Sequence, residues 1–280
     1  MDLFESKISF IGAGNMATAI MSGLIKKGVP AANILASEPD SEKLNALHTT
    51  LGIQITTDNL LAAAEADVLI LSVKPQILQK VCEPLSEILD SRACMTISIA
   101  AGIEMKSLEN WLGSKQAIVR CMPNTPAQIS EGASGLFANP QVTAAQRTLA
   151  ESIFVAVGRA QWVTDETLMH AVTALSGSGP AYAFLMIASM AEAGVKQGLS
   201  EETAKALAAQ TVLGAAKMVL ESEFSPQKLK KNVMSPGGTT ERAISILEGE
   251  NTEGSLPELC DKAIAAATAR SQELAGLLGN

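Results

Sequence analysis

The stretch Asn232-Val-Met-Ser-Pro-Gly-Gly-Thr-Thr240 is a polar, glycine-rich break in an Ala-rich, helix-patterned C-terminal half. Gly237 and Gly238 permit a tight turn and close approach to a ligand. Thr239 or Thr240 can cap the helix expected over ERAISILEGE. Amides at such a helix start form a ready site for a carboxylate or phosphate. Plain helix capping explains the same residues, so the loop alone leaves both readings open. What it offers chemically is positioning and hydrogen bonding, since 235–240 contains no His, Cys or Lys.

A second candidate lies at the other end of the chain. The β-favouring run KISFI leads into Gly12-Ala-Gly14-Asn-Met-Ala17 and then the helical pattern TAIMSGLIKKG. In this strand, turn and helix the first glycine permits the turn and the second admits a pyrophosphate. The small third residue, Ala17, lets helix and strand pack closely. Further buried runs, ILAS (34–37), DVLILSV (67–73), MTISIA (95–100) and AIVRCM (117–122), read as parallel strands with helical intervals. The expected fold is α/β, with an N-terminal Rossmann-like doubly wound parallel sheet followed by an all-α C-terminal dimerisation domain.

Ligands of such sheets sit beyond the carboxyl ends of the strands. There the sequence places Ser72-Val-Lys-Pro75 after the third expected strand, then Ala100-Ala-Gly102 and Pro123-Asn-Thr-Pro126. Each also has a structural role open to it: Pro75 as a first helical residue, Gly102 as a turn residue, the paired prolines as loop stiffeners.

The elements that position these loops follow from composition. Hydrophobic residues make up 47% and aromatics 3% of 280 residues, enough for closely packed helices and strands. A net charge of −8 without a dense Lys/Arg patch argues against nucleic acid as a partner. The sheet pattern ends near 158–164, giving expected domains of 1–164 for a dinucleotide and 165–280 for substrate and dimerisation. Ser176-Gly-Ser-Gly-Pro180 is expected to interrupt the later helices, several of which are apolar or Ala on most sides and are therefore either central or buried against another subunit, with dimerisation the inference drawn. No apolar stretch reaches the roughly 18 residues of a membrane span, so no membrane is expected. The acidic start MDLFESKISF lacks a secretion-signal pattern, and a cytoplasmic location is expected. Four cysteines without CxxC pairing or nearby His predict neither a metal site nor a disulfide framework. His48 and His170 stand alone and read as solvated or structural.

Taken in order, FIGAGNMA, SVKP, AAG, RCMPNTP, LSGSGPAY, GAAKM and KNVMSPGGTT resemble pyrroline-5-carboxylate reductase across about the whole chain. The resemblance implies reduction of L-1-pyrroline-5-carboxylate to L-proline by NADPH or NADH, in a homodimer or a larger oligomer of dimers. It implies cofactor contacts at Gly12, Ala13, Gly14, Asn15, Met16, Asn59, Ser72, Val73, Lys74, Pro75, Ala100, Ala101 and Gly102. Substrate would meet Ser235, Gly238, Thr239 and Thr240, with Thr240 as the catalytic residue beside the ring nitrogen and the amides of Gly238, Thr239 and Thr240 on the carboxylate. Glu166 and Asn232 also match substrate positions of the family.

Glu38, after the second strand, departs from the small polar residues of many relatives. A carboxylate there suits a free ribose 2′-hydroxyl and repels a 2′-phosphate, unless it points to solvent or Lys43 offsets it. Two other functions compete. A β-hydroxyacid dehydrogenase would need Lys and Asn where the pattern from Gly177 and Gly179 has Ala183 and Ile187. A nucleotide sensor would have no use for the 235–240 loop.

Overall fold

The structure is a computed structural model and describes residues 2–250 and 254–278. Its α/β part runs β1 (Ile8–Ile11), α1 (Asn15–Lys26), β2 (Ile34–Ser37), α2 (Ser41–Leu51), β3 (Gln54–Thr56), α3 (Asn59–Glu65), β4 (Val68–Leu71), α4 (Pro75–Cys82) and α5 (Ser86–Asp90). It continues with β5 (Met95–Ser98), α6 (Met105–Leu112), β6 (Ala117–Met122), β7 (Gly132–Ala138), α7 (Ala144–Val155), β8 (Gly158–Trp162) and α8 (Leu168–Val172). Then come α9 (Gly179–Lys196), α10 (Glu201–Glu221), α11 (Pro226–Asn232), α12 (Thr239–Leu247) and α13 (Leu256–Leu278).

Among the described residues eight strands form one sheet in the order β3-β2-β1-β4-β5-β6-β7-β8. Every neighbouring pair is parallel except β6 with β7. The expected strands are present, and the sheet is larger than expected. Short β3 makes the strand before Ser72 the fourth, and β7 and β8 add two more beyond β6. Their sequences, GASGLFA and GRAQW, lack a strong β-branched pattern, and pairing to a preformed edge gives them strand structure.

Both sheet faces are covered, which is why the central strands are continuously apolar. Side chains alternate between two cores: Ile8, Phe10, Val68 and Ile70 join Ile20, Leu24 and Phe154 on one face. Ile11, Leu69 and Leu71 join Leu78, Leu89 and Leu108 on the other. Strand order reverses at β1, which lies between β2 and β4, so a crevice opens at their carboxyl ends.

Asn139 fixes the antiparallel edge just past β7. Its Oδ1 accepts from the Ile118 amide at 3.0 Å, and its Nδ2 donates to the Gln116 carbonyl at 2.9 Å and Glu109 Oε1 at 3.0 Å. All three bonds are made by a buried amide.

By packing, one compact unit holds the chain up to Ser178 together with the chain from Ala267 onward, and the other is Gly179–Ala266. In the first, His170 is buried and its Nδ1 lies 3.0 Å from Ser271 Oγ, a structural tie between α8 and the end of α13. In the second, α9 and α10 pack together, yet α9 has no buried residue. Phe184 and Leu185 are 66% and 69% exposed, more apolar surface than one chain leaves open without a partner.

Two expectations need correction here. Ser176–Pro180 does not break the helices: a π-helical turn, Thr173–Gly177, carries the chain into α9. Counted through that turn, Leu168–Lys196 is long and apolar enough to cross a membrane by length and composition, contrary to the expectation that no apolar stretch reaches that length.

Asn139→Ala removes three bonds from a buried site and is expected to cost about 1–3 kcal/mol. A lower urea midpoint at unchanged slope would show it. An unmoved midpoint would mean that water takes over those bonds.

Candidate active site

The glycine-rich loop after β1 is shaped by contacts rather than by composition alone. Gly12 has φ +92°, and a Cβ there would lie 2.8 Å from the Ser72 carbonyl oxygen and 2.9 Å from Val73 Cγ1. Only glycine fits. A Cβ on Gly14 would meet nothing within 4 Å, so the loop faces open space at that point. Gly14 is the N-cap of α1 and supplies no side-chain bond, leaving the first amides of α1 for a ligand. An anionic pyrophosphate fits this combination of open approach and free amides.

Neighbouring strand ends support the loop. Ser72 donates its amide to the Ile11 carbonyl at 2.8 Å. Its Oγ lies 2.7 Å from the Gly12 carbonyl oxygen and 3.0 Å from that of Ile11. Ser37 Oγ donates to Asn59 Oδ1 at 2.6 Å, fixing the first residue of α3 against the end of β2. Lys74 is the N-cap of α4 without a side-chain bond, and Pro75 opens that helix. The Ala100 amide is 3.4 Å from Ser98 Oγ, and Gly102 is buried with φ +75°. Pro75, Gln76, Ala101, Gly102, Ser178 and Arg270 line a cavity of about 330 Å³. Arg270 had no motif to announce it, because its helix reads only as an Ala-rich repeat.

Glu38 does not point to solvent. Its Oε2 accepts from the Ala13 amide at 3.0 Å and lies 3.2 Å from Lys43 Nζ, with the side chain 17% exposed. The carboxylate therefore sits on the glycine loop itself, with Lys43 as its counter-ion.

Glu166 has partners of its own. Its carboxylate pairs with the buried Arg120 guanidinium and accepts from the Met105 amide, the first of α6. Asn124 is likewise occupied: its Nδ2 donates to the Ser176 carbonyl at 2.9 Å and its Oδ1 accepts from Ala133 at 2.8 Å.

The other predicted residues stand on one loop of the helical unit. Asn232 ends α11, and Ser235-Pro236-Gly237-Gly238 forms a turn closed by Gly238 N–H to the Ser235 carbonyl at 2.9 Å. Proline second and a positive-φ glycine third (Gly237, +71°) are the type II pattern. Helix α12 then starts at Thr239, two residues before the expected start, with Gly238 as N-cap and no side-chain cap. The threonines are thus not caps. Gly238's amide is already donated, so the amides still open to a carboxylate are those of Thr239 and Thr240.

Buried cysteines add no nucleophile. Burial pushes the Cys82 and Cys94 thiols up to about 12 and holds Cys121 well above its ordinary value.

The family model described as pyrroline-5-carboxylate reductase dimerisation matches residues 166–274. That described as NADP oxidoreductase coenzyme F420-dependent matches residues 7–102. A pyrroline-5-carboxylate reductase of Pseudomonas aeruginosa is 50% identical over 98% of this chain and 98% of its own length. One from Methanosarcina acetivorans is 45% identical over 96% and 98%. The solved pyrroline-5-carboxylate reductase of Coxiella burnetii superposes with a TM-score of 0.92 at 47% identity, covering 96% of this chain and 98% of that one. The Plasmodium falciparum pyrroline carboxylate reductase with NADP bound gives 0.84 at 31% identity, covering 98% and 100%.

Glu38→Ser removes a carboxylate whose charge would oppose a 2′-phosphate and whose oxygens could accept from a ribose hydroxyl. The ratio of affinities, NADPH over NADH, should rise about five- to tenfold, the equivalent of about 1–1.4 kcal/mol. Fluorescence titration in low and high salt measures it. A rise that vanishes in high salt marks long-range repulsion, and one that persists marks a lost hydrogen bond. An unmoved ratio in both buffers would remove Glu38 from cofactor selection.

Proposed function

The chain belongs to the pyrroline-5-carboxylate reductase family, and from that premise we infer how its residues reduce L-1-pyrroline-5-carboxylate to L-proline, the last step of proline biosynthesis. NAD(P)H is the cofactor, and a hydride to the imine carbon is the chemistry it supplies when bound. The carbon–nitrogen π pair moves onto nitrogen as hydride arrives. A nitrogen protonated beforehand becomes the neutral amine of proline with no further proton, so the protein needs no titrating acid.

One observation carries the assignment of residues: Thr239 and Thr240 begin a helix without capping it, so their amides and hydroxyls remain for a ligand. The two amides hold the substrate carboxylate. Thr240 Oγ1 accepts from the iminium N–H and keeps that contact with the product amine. Ser235, Gly238, Asn232 and Glu166 are assigned to substrate as well, on the family pattern. Gly238 serves through the turn it closes rather than through its amide. Gly12, Ala13, Gly14, Asn15, Met16, Glu38, Asn59, Ser72, Val73, Lys74, Pro75, Ala100, Ala101 and Gly102 are assigned to the cofactor. The uncapped starts of α1 and α4 support this assignment.

Functional domains of 1–164 and 165–280 belong to this reading, supported by the dimerisation match that starts at 166. The packing units divide later in the chain, at Ser178 and Gly179. The cytoplasm is the compartment the reading assigns, in keeping with a proline-biosynthesis role.

Thr240→Ala should lower kcat about ten- to a hundredfold, the loss of one charge-assisted bond of about 1.5–3 kcal/mol. Cofactor affinity should stay the same, and Thr240→Ser should keep much of the activity. Unchanged kcat/KM in the alanine variant would reduce Thr240 to a backbone position.

Self-association is expected to cover the apolar faces of α9 and α10. Light scattering on dilute, active protein should give a dimer or a multiple of dimers. A stable, active monomer would contradict it.

A further inference from the structure

Glu241 stands at the third position of α12, where a glutamate ordinarily reaches back to the N-cap amide in a capping box. Here that amide is taken, because Gly238 N–H already closes the turn on the Ser235 carbonyl. Glu241 Oε2 instead accepts from the amide one residue earlier, Gly237, at 2.7 Å. The capping box is displaced outward by one residue, and the amides of Thr239 and Thr240 are left clear.

The loop needs such a restraint. Gly237 and Gly238 carry the largest backbone entropy of any residues, and an unrestrained pair would have to be ordered each time a ligand binds. Gly238 has no latitude for a side chain, since a Cβ would lie 2.9 Å from the Ser235 oxygen. A Cβ on Gly237 would meet nothing within 4 Å, so packing does not fix its φ of +71°. Hydrogen bonds restrain it instead: the Ser235–Gly238 turn bond spans it, and Glu241 holds its amide. The loop's two ends are also joined, since Lys230 of α11 pairs with Glu248 at the end of α12.

We propose that Glu241 is a positioning residue for the reduction: its carboxylate clips the Gly237 amide and thereby presets the Thr239 and Thr240 amides for the substrate carboxylate. The bond is neutral in geometry but not in charge. A carboxylate near an anion site weakens anion binding, and a carboxamide in its place keeps the clip without the charge. The two effects separate by substitution.

This rests on the assignment of the Thr239 and Thr240 amides to substrate, so the experiment includes a control for that assignment. Steady-state kinetics are measured for Glu241→Ala, Glu241→Gln and Thr240→Ala, varying pyrroline-5-carboxylate and cofactor separately. Glu241→Ala should raise the KM for pyrroline-5-carboxylate about tenfold and leave the cofactor KM within twofold. Glu241→Gln should restore the substrate KM to within about threefold, because its Oε1 accepts the same bond. Should the alanine variant misfold, Glu241→Asp, with a side chain too short for Gly237, takes its place with the same expected KM.

An unchanged substrate KM in Glu241→Ala, beside a Thr240→Ala enzyme that has lost activity, overturns the clip and leaves the loop assignment standing. Glu241→Gln as impaired as Glu241→Ala also overturns it, since charge rather than the bond would then matter. A fully active Thr240→Ala overturns the loop assignment itself, and the clip with it.

Discussion

A helix start must find partners for its first amides, and this chain meets that requirement in two different ways. Asp40, Asp58, Thr143, Ser200 and Ser225 cap α2, α3, α7, α10 and α11 with their own side chains. Helices α1, α4 and α12 start at Gly14, Lys74 and Gly238 with no side-chain cap. Helix α6 also has none, but Glu166 reaches in from beyond β8 to accept its first amide, and α5 and α8, likewise without side-chain caps, continue from turns whose carbonyls precede them. The uncapped starts at Gly14 and Lys74 follow the carboxyl ends of the strands, the edge where doubly wound sheets bind ligands, and the third carries the threonines. Anions, a pyrophosphate or a carboxylate, are the partners such ends favour.

Charge is arranged around these ends with the same economy. Glu38 sits on the glycine loop, where its carboxylate accepts from the backbone amide of Ala13 and has Lys43 beside it. Arg120 is buried in β6, and its charge is compensated by Glu166, whose loss would leave an unpaired guanidinium in the interior. Burial raises the thiols of Cys82, Cys94 and Cys121, and the two histidines bond to the Ile53 carbonyl and to Ser271. What remains for the reaction is a set of amides and hydroxyls, which suits hydride addition to a nitrogen-protonated imine.

The doubly wound core was legible because its strands are buried on both faces and therefore apolar throughout. The motif Gly12-Ala-Gly14 was legible locally, from the strand before it and the helix after it: Gly12 answers a close contact with Ser72 and Val73, and Gly14 leaves open space at the start of α1. The antiparallel β7 was not, since GASGLFA is held by Asn139 and by pairing to β6, contacts distant in sequence. The π-helical turn escaped notice because Ser and Gly in 176–179 signal a break when read locally. Glu241 was read as the first residue of its helix, which hid its place at the third position and its bond to Gly237. The direction of Glu38 also depended on the fold, as its side chain is fixed by an amide 25 residues away in sequence.

The central claim is that the open amides of Thr239 and Thr240 receive the ligand's carboxylate while Gly237's amide stays with Glu241. Amide nitrogen and proton shifts of the labelled enzyme, followed during titration with L-proline in the presence of cofactor, test it directly. The account predicts large downfield proton shifts at Thr239 and Thr240 and little change at Gly237. Shifts centred on Gly237, or none at the two threonines while proline binds, would contradict it.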